Sequence, residues 1–243
     1  MEHGKAKVHI GTSGWHYMHW KGPYYPKNLP AKDFLSQYVE DFQTVEINNT
    51  FYKLPEISTL KHWKETVPKN FLFSVKASRY ITHVKKFKDP KSSLKNFFSR
   101  MEYLKKNLGV ILFQLPPKWG LNLERFDTLL QALPKGYRYA FEFRETSWLC
   151  EEVYKLLKKR GHALCLYEFA GVKTPLIVTA KFVYVRLHGP KGAYQGSYSS
   201  QALDHWARDI KAFRKKGKEV FCYFDNDEKG YAPKNALMLK DKC

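Results

Sequence analysis

Two glutamates stand inside alternating apolar runs, at positions where carboxylates can do acid–base chemistry. Glu46 lies in TVEIN and Glu142 lies in YAFEFR. Because successive side chains of a strand point to opposite faces, each glutamate shares its face with polar neighbours rather than with the large apolar ones. Two carboxylates that face one space can act as general acid and base or hold a divalent metal. They can equally belong to a structural ion-pair network.

Three cations occupy the same inward phase of their runs. These are Lys76 in FLFSVK, Arg144 in YAFEFR and Arg186 in FVYVRLH. A guanidinium offers a planar fork of donors that matches phosphate or carboxylate. These residues therefore either bind an anionic ligand or neutralise the two glutamates, and the sequence leaves both alternatives open.

Histidines follow two of these runs. His188 ends FVYVRLH, where it can act as a base or as a donor to phosphate, or serve as a structural hydrogen-bonding group. Gly189 directly after it leaves room for a ligand to approach the backbone. His83 follows the run that contains Lys76, and the same possibilities apply to it as to His188.

The remaining candidates are aromatic and amide residues near the ends of runs. The segment WHYMHWKGPYY is dense in rings, which can stack on bases or sugars, or bury one another. We expect Trp15 and Tyr17 to be the exposed pair and Trp148 to be packed. The side chains that could orient a ligand are Asn48, Gln114, Tyr223 and Asn226.

Eight short apolar runs must position these residues. Segments with helical spacing separate most neighbouring runs, and this repeat predicts an α/β fold, a TIM-like (β/α)8 barrel. Such barrels carry their chemistry at the carboxyl ends of the strands. The segment GVKTPLIVT has no helical period, so we expect the sixth crossover to be irregular. The length predicts one domain over residues 1–243. The runs are KVHIGTSG, TVEINNTF, FLFSVKAS, GVILFQLPP, YAFEFR, ALCLYEF, FVYVRLHGP and EVFCYFDN.

The composition is strongly basic, with 42 Lys and Arg against 23 Asp and Glu and a formal net charge of +19. A basic surface attracts polyanions, nucleic acid first among them, or it simply keeps the protein soluble. Much of the excess lies in two lysine-rich runs, one over residues 85–95 and one over residues 211–218.

Several classes of protein are disfavoured. The sequence contains no apolar stretch of about 18 residues, the length that a membrane-spanning helix needs. No apolar targeting segment precedes the first run, so we expect a cytoplasmic protein. The four cysteines form no CxxC pair and are expected to be free thiols. No HExxH, GxGxxG, P-loop or GxSxG motif occurs, so no particular cofactor is indicated and no fixed metal site is predicted, although a divalent metal remains compatible with the carboxylates.

Long motifs of this chain resemble the YecE-like family, also catalogued as domain of unknown function 72. They run in order from about Ile10 to Leu237 and include IGTSGWHYMHWKGPYYP, FQTVEINNTFYKLP, ILFQLPP, FEFRETSW, YVRLHG and YFDNDEKGYAPKNA. The resemblance implies a TIM-like barrel and no established activity. A likeness of such barrels to endonuclease-IV-like enzymes suggests nucleic-acid binding by analogy of fold.

The chain departs from the family pattern at three places. The last run usually ends Phe-Asn-Asn, and here Asp225 occupies the middle position. Tyr167 and Glu168 stand where an aspartate is usual near the end of strand six. Glu145 and Thr146 replace a common His-Pro after strand five, which removes one base or ligand.

Three functions fit these observations. We favour binding of a phosphate-containing ligand, DNA or RNA first, at the carboxyl-end mouth of the barrel, with or without phosphodiester hydrolysis. The second is a small-molecule enzyme that moves a proton with Glu46, Glu142 or His188 on a phosphorylated or carboxylated metabolite. The third is a non-catalytic scaffold whose polar interior is structural.

Overall fold

Nine strands are present in the computed structural model, which describes residues 6–169 and 172–243. Eight of them are parallel and form a nearly closed barrel, which confirms the predicted TIM-like fold. The remaining strand, β7, has two residues and forms a hairpin with β6. In chain order the strands are β1 Val8–Thr12, β2 Thr44–Ile47, β3 Leu72–Lys76, β4 Leu108–Gln114, β5 Arg138–Glu142, β6 Ala163–Phe169, β7 Val172–Lys173, β8 Phe182–Leu187 and β9 Glu219–Phe224.

Eight α-helices accompany these strands in the part of the chain that the structure describes. Their buried faces match the predicted periodicity, as α7 shows with Leu203, Trp206, Ile210 and Phe213 turned inward. None of the helices in the described ranges combines the length and the apolar character needed to cross a membrane. The helices are α1 Phe34–Asp41, α2 Asn49–Tyr52, α3 Ile57–Thr66, α4 Pro90–Met101, α5 Leu123–Ala132, α6 Glu151–Arg160, α7 Ser200–Lys215 and α8 Tyr231–Lys242.

The sixth crossover is irregular, as the sequence predicts. Strand β6 pairs antiparallel with β7, and residues 174–181 then reach β8 without a helix. Residues 170 and 171 lie outside the described residues. The reason is local, because TPLIV carries a proline and β-branched residues rather than a run of good helix formers.

Alternation along the strands separates two cores. Val45, Ile47, Phe141 and Val185 belong to the large outer core between the sheet and the helices. A smaller core fills the barrel, and its side chains come from the opposite phase of the strands. It comprises Val110, Leu112, Ala140, Ala163, Cys165, Ala180, Phe182, Tyr184, Phe221 and Tyr223.

The barrel closes between β1 and β2 through a short seam. Ser13 and Glu46 form a parallel bridge, and the Gly14 amide donates to the Glu46 carbonyl at 2.7 Å. Gly11 lies beside this seam, where an added Cβ would come within 2.3 Å of the Thr44 carbonyl oxygen. The seam therefore depends on the missing side chain at this position.

We expect Gly11→Ala to lower the free energy of unfolding by about 1–3 kcal/mol, because the methyl group must push the two backbones apart. Urea denaturation followed by circular dichroism measures the change. Gly120→Ala is the control, since its Cβ would meet its nearest neighbour at 3.8 Å. Equal stability of the two variants would contradict a tight seam.

Candidate functional site at the barrel mouth

One guanidinium organises the carboxyl ends of the strands. Arg186, at the end of β8, is 1 % exposed and contacts three carboxylates. Its Nη2 donates to Glu46 Oε1 at 2.7 Å and to Asp225 Oδ2 at 2.9 Å, and its Nη1 donates to Glu142 Oε2 at 2.8 Å. The two predicted glutamates thus face the same space and share one cation.

The Glu46 carboxylate is held from several sides. Tyr184 Oη donates to Glu46 Oε2 at 2.6 Å, and Ser13 Oγ donates to Glu46 Oε1. The same Ser13 oxygen accepts from Arg186 Nη2 at 3.0 Å and from Asn48 Nδ2 at 2.9 Å. A hydroxyl has one donor and two acceptor positions, so the hydrogen-bonding capacity of Ser13 is filled.

The Glu142 carboxylate connects Arg186 to Arg144 and His188. Arg144 Nε donates to Glu142 Oε1, and Arg144 Nη2 lies 2.9 Å from His188 Nε2. The guanidinium of Arg144 also packs on the rings of Tyr167 and Phe169. Arg144 is therefore paired, and 10 % of its side chain is exposed.

The protonation pattern of His188 follows from its partners. Arginine carries no acceptor, so Nε2 accepts from Arg144 and the ring proton is on Nδ1. Nδ1 then donates to Asp225 Oδ2 at 3.0 Å. Both ring nitrogens are occupied and the residue is fully buried. In this arrangement neither nitrogen is open to a ligand.

Charge compensation lowers the pKa of two acids of this network. Burial opposes ionisation of Glu142, but Arg144 and then Arg186 outweigh it and hold the pKa of this carboxyl well below 4.5. Burial also opposes ionisation of Asp225, and Arg186 lowers the pKa of Asp225 below 3.8. The network is thus a set of ion pairs buried beneath the mouth of the barrel.

Lys76 differs from the two arginines. It ends β3 on the inward face, remains partly exposed and lies with its Nζ 4.3 Å from the centroid of the Phe51 ring. No acidic side chain in residues 6–169 or 172–243 pairs with it. Burial, followed by the charge of Arg186, lowers the pKa of Lys76 to about 8. Near neutral pH it is therefore a cation whose donors are unused.

Asn48 leaves a second polar atom unsatisfied at the mouth. Its Nδ2 donates to Ser13, but its buried Oδ1 has no hydrogen-bond partner among the described residues. Buried polar atoms normally find a partner, so such exceptions point to water or a ligand. Lys76 thus keeps unused donors, and Asn48 keeps one unused acceptor that is shielded from solvent.

Four other predicted residues lie apart from the Arg186 network. His83 bonds Thr82 Oγ1 at 2.8 Å, and burial, then the charge of Lys76, lowers its pKa to about 4. Gln114 donates to the Leu115 carbonyl at 3.1 Å. Tyr223 is buried below the network. Asn226 is fully buried and donates to the Gly196 carbonyl at 2.8 Å, which joins the ends of the loops after β8 and β9.

The prediction that Trp15 is exposed is wrong. Its side chain is 7 % exposed and packs edge-on against Trp63, with ring centroids 5.0 Å apart. Tyr17 is half-buried against Trp20 and donates to the Ser13 carbonyl at 2.7 Å. Burial of their apolar surface favours packing of these rings against other side chains. This is the second of the two possibilities that the sequence left open, in which the rings bury one another. Trp148 is fully buried, as predicted.

The space beside Gly189 is filled by the chain itself. Gly189 has φ +112°, and a Cβ there would lie 2.4 Å from the Gln195 carbonyl oxygen. The loop after β8 folds back so that the Tyr194 amide donates to the His188 carbonyl at 2.7 Å. The glycine therefore allows a close turn of the loop, and the expected approach of a ligand to this backbone is wrong for this conformation.

Sequence reasoning missed two members of the network, Ser13 and Asp225. Ser13 follows β1 and has Glu46 as its partner, which cannot be seen in sequence because 33 positions separate them. Asp225 directly follows β9 and differs from the usual asparagine, and this departure was the available signal. Among the described residues no group of three or more His, Cys, Asp or Glu side chains is arranged to hold a metal ion.

The sequence matches one protein family over nearly its whole length. The family model described as "Protein of unknown function DUF72" matches residues 9–243. The UPF0759 protein YunF of Bacillus subtilis (strain 168) is 27% identical, with 96% of this chain and 93% of that protein aligned. Relatives therefore match almost the full length of the chain.

Solved structures of similar proteins share the barrel. The crystal structure of a DUF72 family protein from Thermotoga maritima superposes with a TM-score of 0.88 at 32% identity, covering 97% of this chain and 98% of that one. A DUF72 family protein from Enterococcus faecalis V583 gives a TM-score of 0.81 at 19% identity, covering 98% of both chains. The second similarity supports the fold alone.

We expect Arg186→Met to lower the free energy of unfolding by about 3–5 kcal/mol, because three carboxylates then lose their shared cation in a buried site. Arg138→Met is the control. Arg138 pairs with Glu219 at 2.6 Å near the surface, with 36% of its side chain exposed, so its loss costs less than about 1 kcal/mol. Chemical denaturation at neutral pH compares the two, and equal losses would contradict a buried network centred on Arg186.

The acid limb of the stability profile depends on Glu142. Its folded-state pKa is depressed, so its stabilising effect is present above about pH 4.5 and is lost as the pH falls through the folded value. We expect Glu142→Gln to be less stable at neutral pH and to lose less further stability below pH 4.5. Denaturation from neutral to acidic pH tests this, with the exposed Glu65→Gln as control. An acid limb of unchanged slope would count against the ion pairs of Glu142.

Proposed function

Because this chain belongs to the DUF72 family, whose description names no activity, we propose its function from the barrel mouth: it binds a phosphate-containing ligand there, in the first place single-stranded nucleic acid. The observation that carries the proposal is Lys76. It is a partly exposed inward cation without an ion-pair partner in the described part of the chain.

The division of labour among the cations supports binding at Lys76 rather than at the arginines. Arg186 and Arg144 already donate to Glu46, Glu142 and Asp225. The nearby carboxylates Glu142, Asp225 and Glu46 favour the protonated form of Lys76 and partly offset burial and Arg186, which lower its pKa to about 8. An ammonium held in this way has three N–H donors for a phosphate oxygen.

The loop after β3 adds positive charge next to Lys76. Arg79, Lys85, Lys86 and Lys88 lie in it, and Asp89 is its acidic residue. Cations along a groove attract the nucleic-acid backbone without regard to sequence, and the net charge of +19 acts in the same direction at longer range. A polyanion fits this charged side of the mouth better than a neutral metabolite does.

The buried network favours binding without hydrolysis as the proposed activity. Glu46, Glu142 and His188 are fully buried, and their polar atoms are bonded to other residues of the network, namely the two arginines, Tyr184, Ser13 and Asp225. A general base must lie within hydrogen-bond reach of the proton that it removes. A phosphate at Lys76 would therefore be held above the network, while the network supports β2, the strand paired with the one that carries Lys76.

The pH dependence of binding tests the role of Lys76. The ammonium binds phosphate below its pKa of about 8 and the neutral amine does not, so affinity for a labelled single-stranded oligonucleotide should fall as the pH rises past about 8. Lys76→Arg keeps its charge and should abolish this fall. Lys76→Met should weaken binding about tenfold or more at pH 7 and show little pH dependence. Fluorescence anisotropy at constant low salt measures all three.

The control is Lys105→Met, which removes the same charge at the opposite end of the barrel. Equal weakening by Lys76→Met and Lys105→Met would assign the attraction to overall charge and reject the site. Undetectable binding of both DNA and RNA by the unaltered protein would reject the nucleic-acid proposal. Binding of inorganic phosphate or a sugar phosphate by that same protein would then favour a small phosphorylated ligand.

A further inference from the structure

A groove of about 500 Å³ lies beside the mouth, where the end of α2 and the loop after β3 meet α4. Three cations line it, Lys53, Lys85 and Arg100. None of them pairs with an acidic side chain within residues 6–169 and 172–243. Charges without partners around a concave surface are open to an anionic ligand.

An aromatic ring accompanies these cations. Tyr80 is 50% exposed and lies in the groove with Lys85 Nζ 5.8 Å from its ring centroid. A half-exposed ring beside lysine provides a stacking surface next to a phosphate-binding charge. The remaining polar lining consists of Ser78, Asp89, Ser92, Ser93 and Asn96.

The loop that carries Tyr80 has an unusual and fixed backbone. Residues Tyr80–Val84 form a π-helical turn, and Lys86, Phe87 and Asp89 have φ of 46°, 65° and 45°. Each such residue costs about 1–3 kcal/mol and persists where the surroundings impose it. Phe87 supplies that constraint, because it is 1 % exposed and packs against Phe113 and Trp119. The backbone that carries Tyr80 and Lys85 is thus anchored to the core.

We propose that this groove binds one nucleotide of a single-stranded nucleic acid, with the base stacked on Tyr80 and a phosphate among Lys53, Lys85 and Arg100. This inference rests on the proposed function and specifies the path of the bound nucleic acid across the surface. Lys76 and Tyr80 belong to the same segment, four positions apart, and the proposed course takes the nucleic acid from the groove toward Lys76 at the mouth. The volume is within the range of small-ligand pockets, about 300–1,000 Å³.

Stacking on Tyr80 distinguishes between kinds of nucleic acid. A base inside a duplex has both faces covered by its neighbours, so it cannot lie on a tyrosine ring, whereas an unpaired base can. Asp89, the acidic residue of the lining, disfavours a second phosphate at its end of the groove. The groove therefore fits one nucleotide of a flexible strand better than a rigid duplex.

Salt-dependent binding of a short oligonucleotide of about ten unpaired nucleotides tests the groove. The double variant Lys85→Ala with Arg100→Ala should lower affinity about tenfold and reduce the slope of log affinity against log salt by about 0.7, since the groove holds one phosphate and each phosphate contact contributes about 0.7 for single strands. The matched control is Lys105→Ala with Lys106→Ala, which removes two exposed lysines from a groove at the amino ends of the strands.

Tyr80 provides an independent readout. Tyr80→Leu should weaken binding about tenfold with an unchanged salt slope, and Tyr80→Phe should restore it, because stacking needs the ring and not the hydroxyl. An oligonucleotide that carries 5-iodouracil should crosslink under light to Tyr80, as mapped by mass spectrometry. Thermal melting verifies that each variant is folded.

The outcomes separate this inference from the proposed function. If the unaltered protein and all groove variants bind equally well while Lys76→Met does not, the groove is rejected and the mouth site stands. If the control double variant weakens binding as much as the groove variant does, general charge explains the attraction and the groove is rejected. If no single strand binds the unaltered protein, both are rejected.

Discussion

A single buried guanidinium determines the organisation of the barrel mouth. Arg186 is 1 % exposed, and a charge so far from water is tolerated only where opposite charges surround it. Glu46 from β2, Glu142 from β5 and Asp225 after β9 supply those charges. The requirement to compensate one cation therefore joins strands on different sides of the barrel and fixes how their carboxyl ends converge.

This compensation also divides the polar residues into two groups. Residues within the network, such as His188 and Ser13, have their hydrogen-bonding positions filled by one another. Lys76 and Asn48 lie beside the network and keep unused donors or acceptors. The hydrogen bonds of Arg186 are used within the protein, and the ligand binding that we propose involves Lys76 beside the network.

Positive charge is distributed unevenly around the Arg186 network. The loop after β3 carries a cluster of cations, and Phe87 anchors its strained backbone in the outer core. A mobile lysine-rich loop would attract a polyanion without orienting it. The single-strand binding that we propose depends on a fixed loop backbone with Tyr80 beside its cations, and the packing of Phe87 supplies that constraint.

The sequence by itself determined the barrel, the eight barrel strands, the irregular sixth crossover and the inward phase of Glu46, Glu142 and Arg186. These features follow from periodicity within short segments, and local alternation does not depend on distant residues. Tertiary structure decided which inward cations are paired, that Trp15 is buried and that the loop after β8 fills the space beside Gly189. Those outcomes depend on contacts between segments far apart in the chain, such as Ser13 with Glu46 or Arg186 with Asp225. A residue's type states which bonds it can make, but only the folded chain brings together the partners that use those bonds or leave them open, as at Lys76.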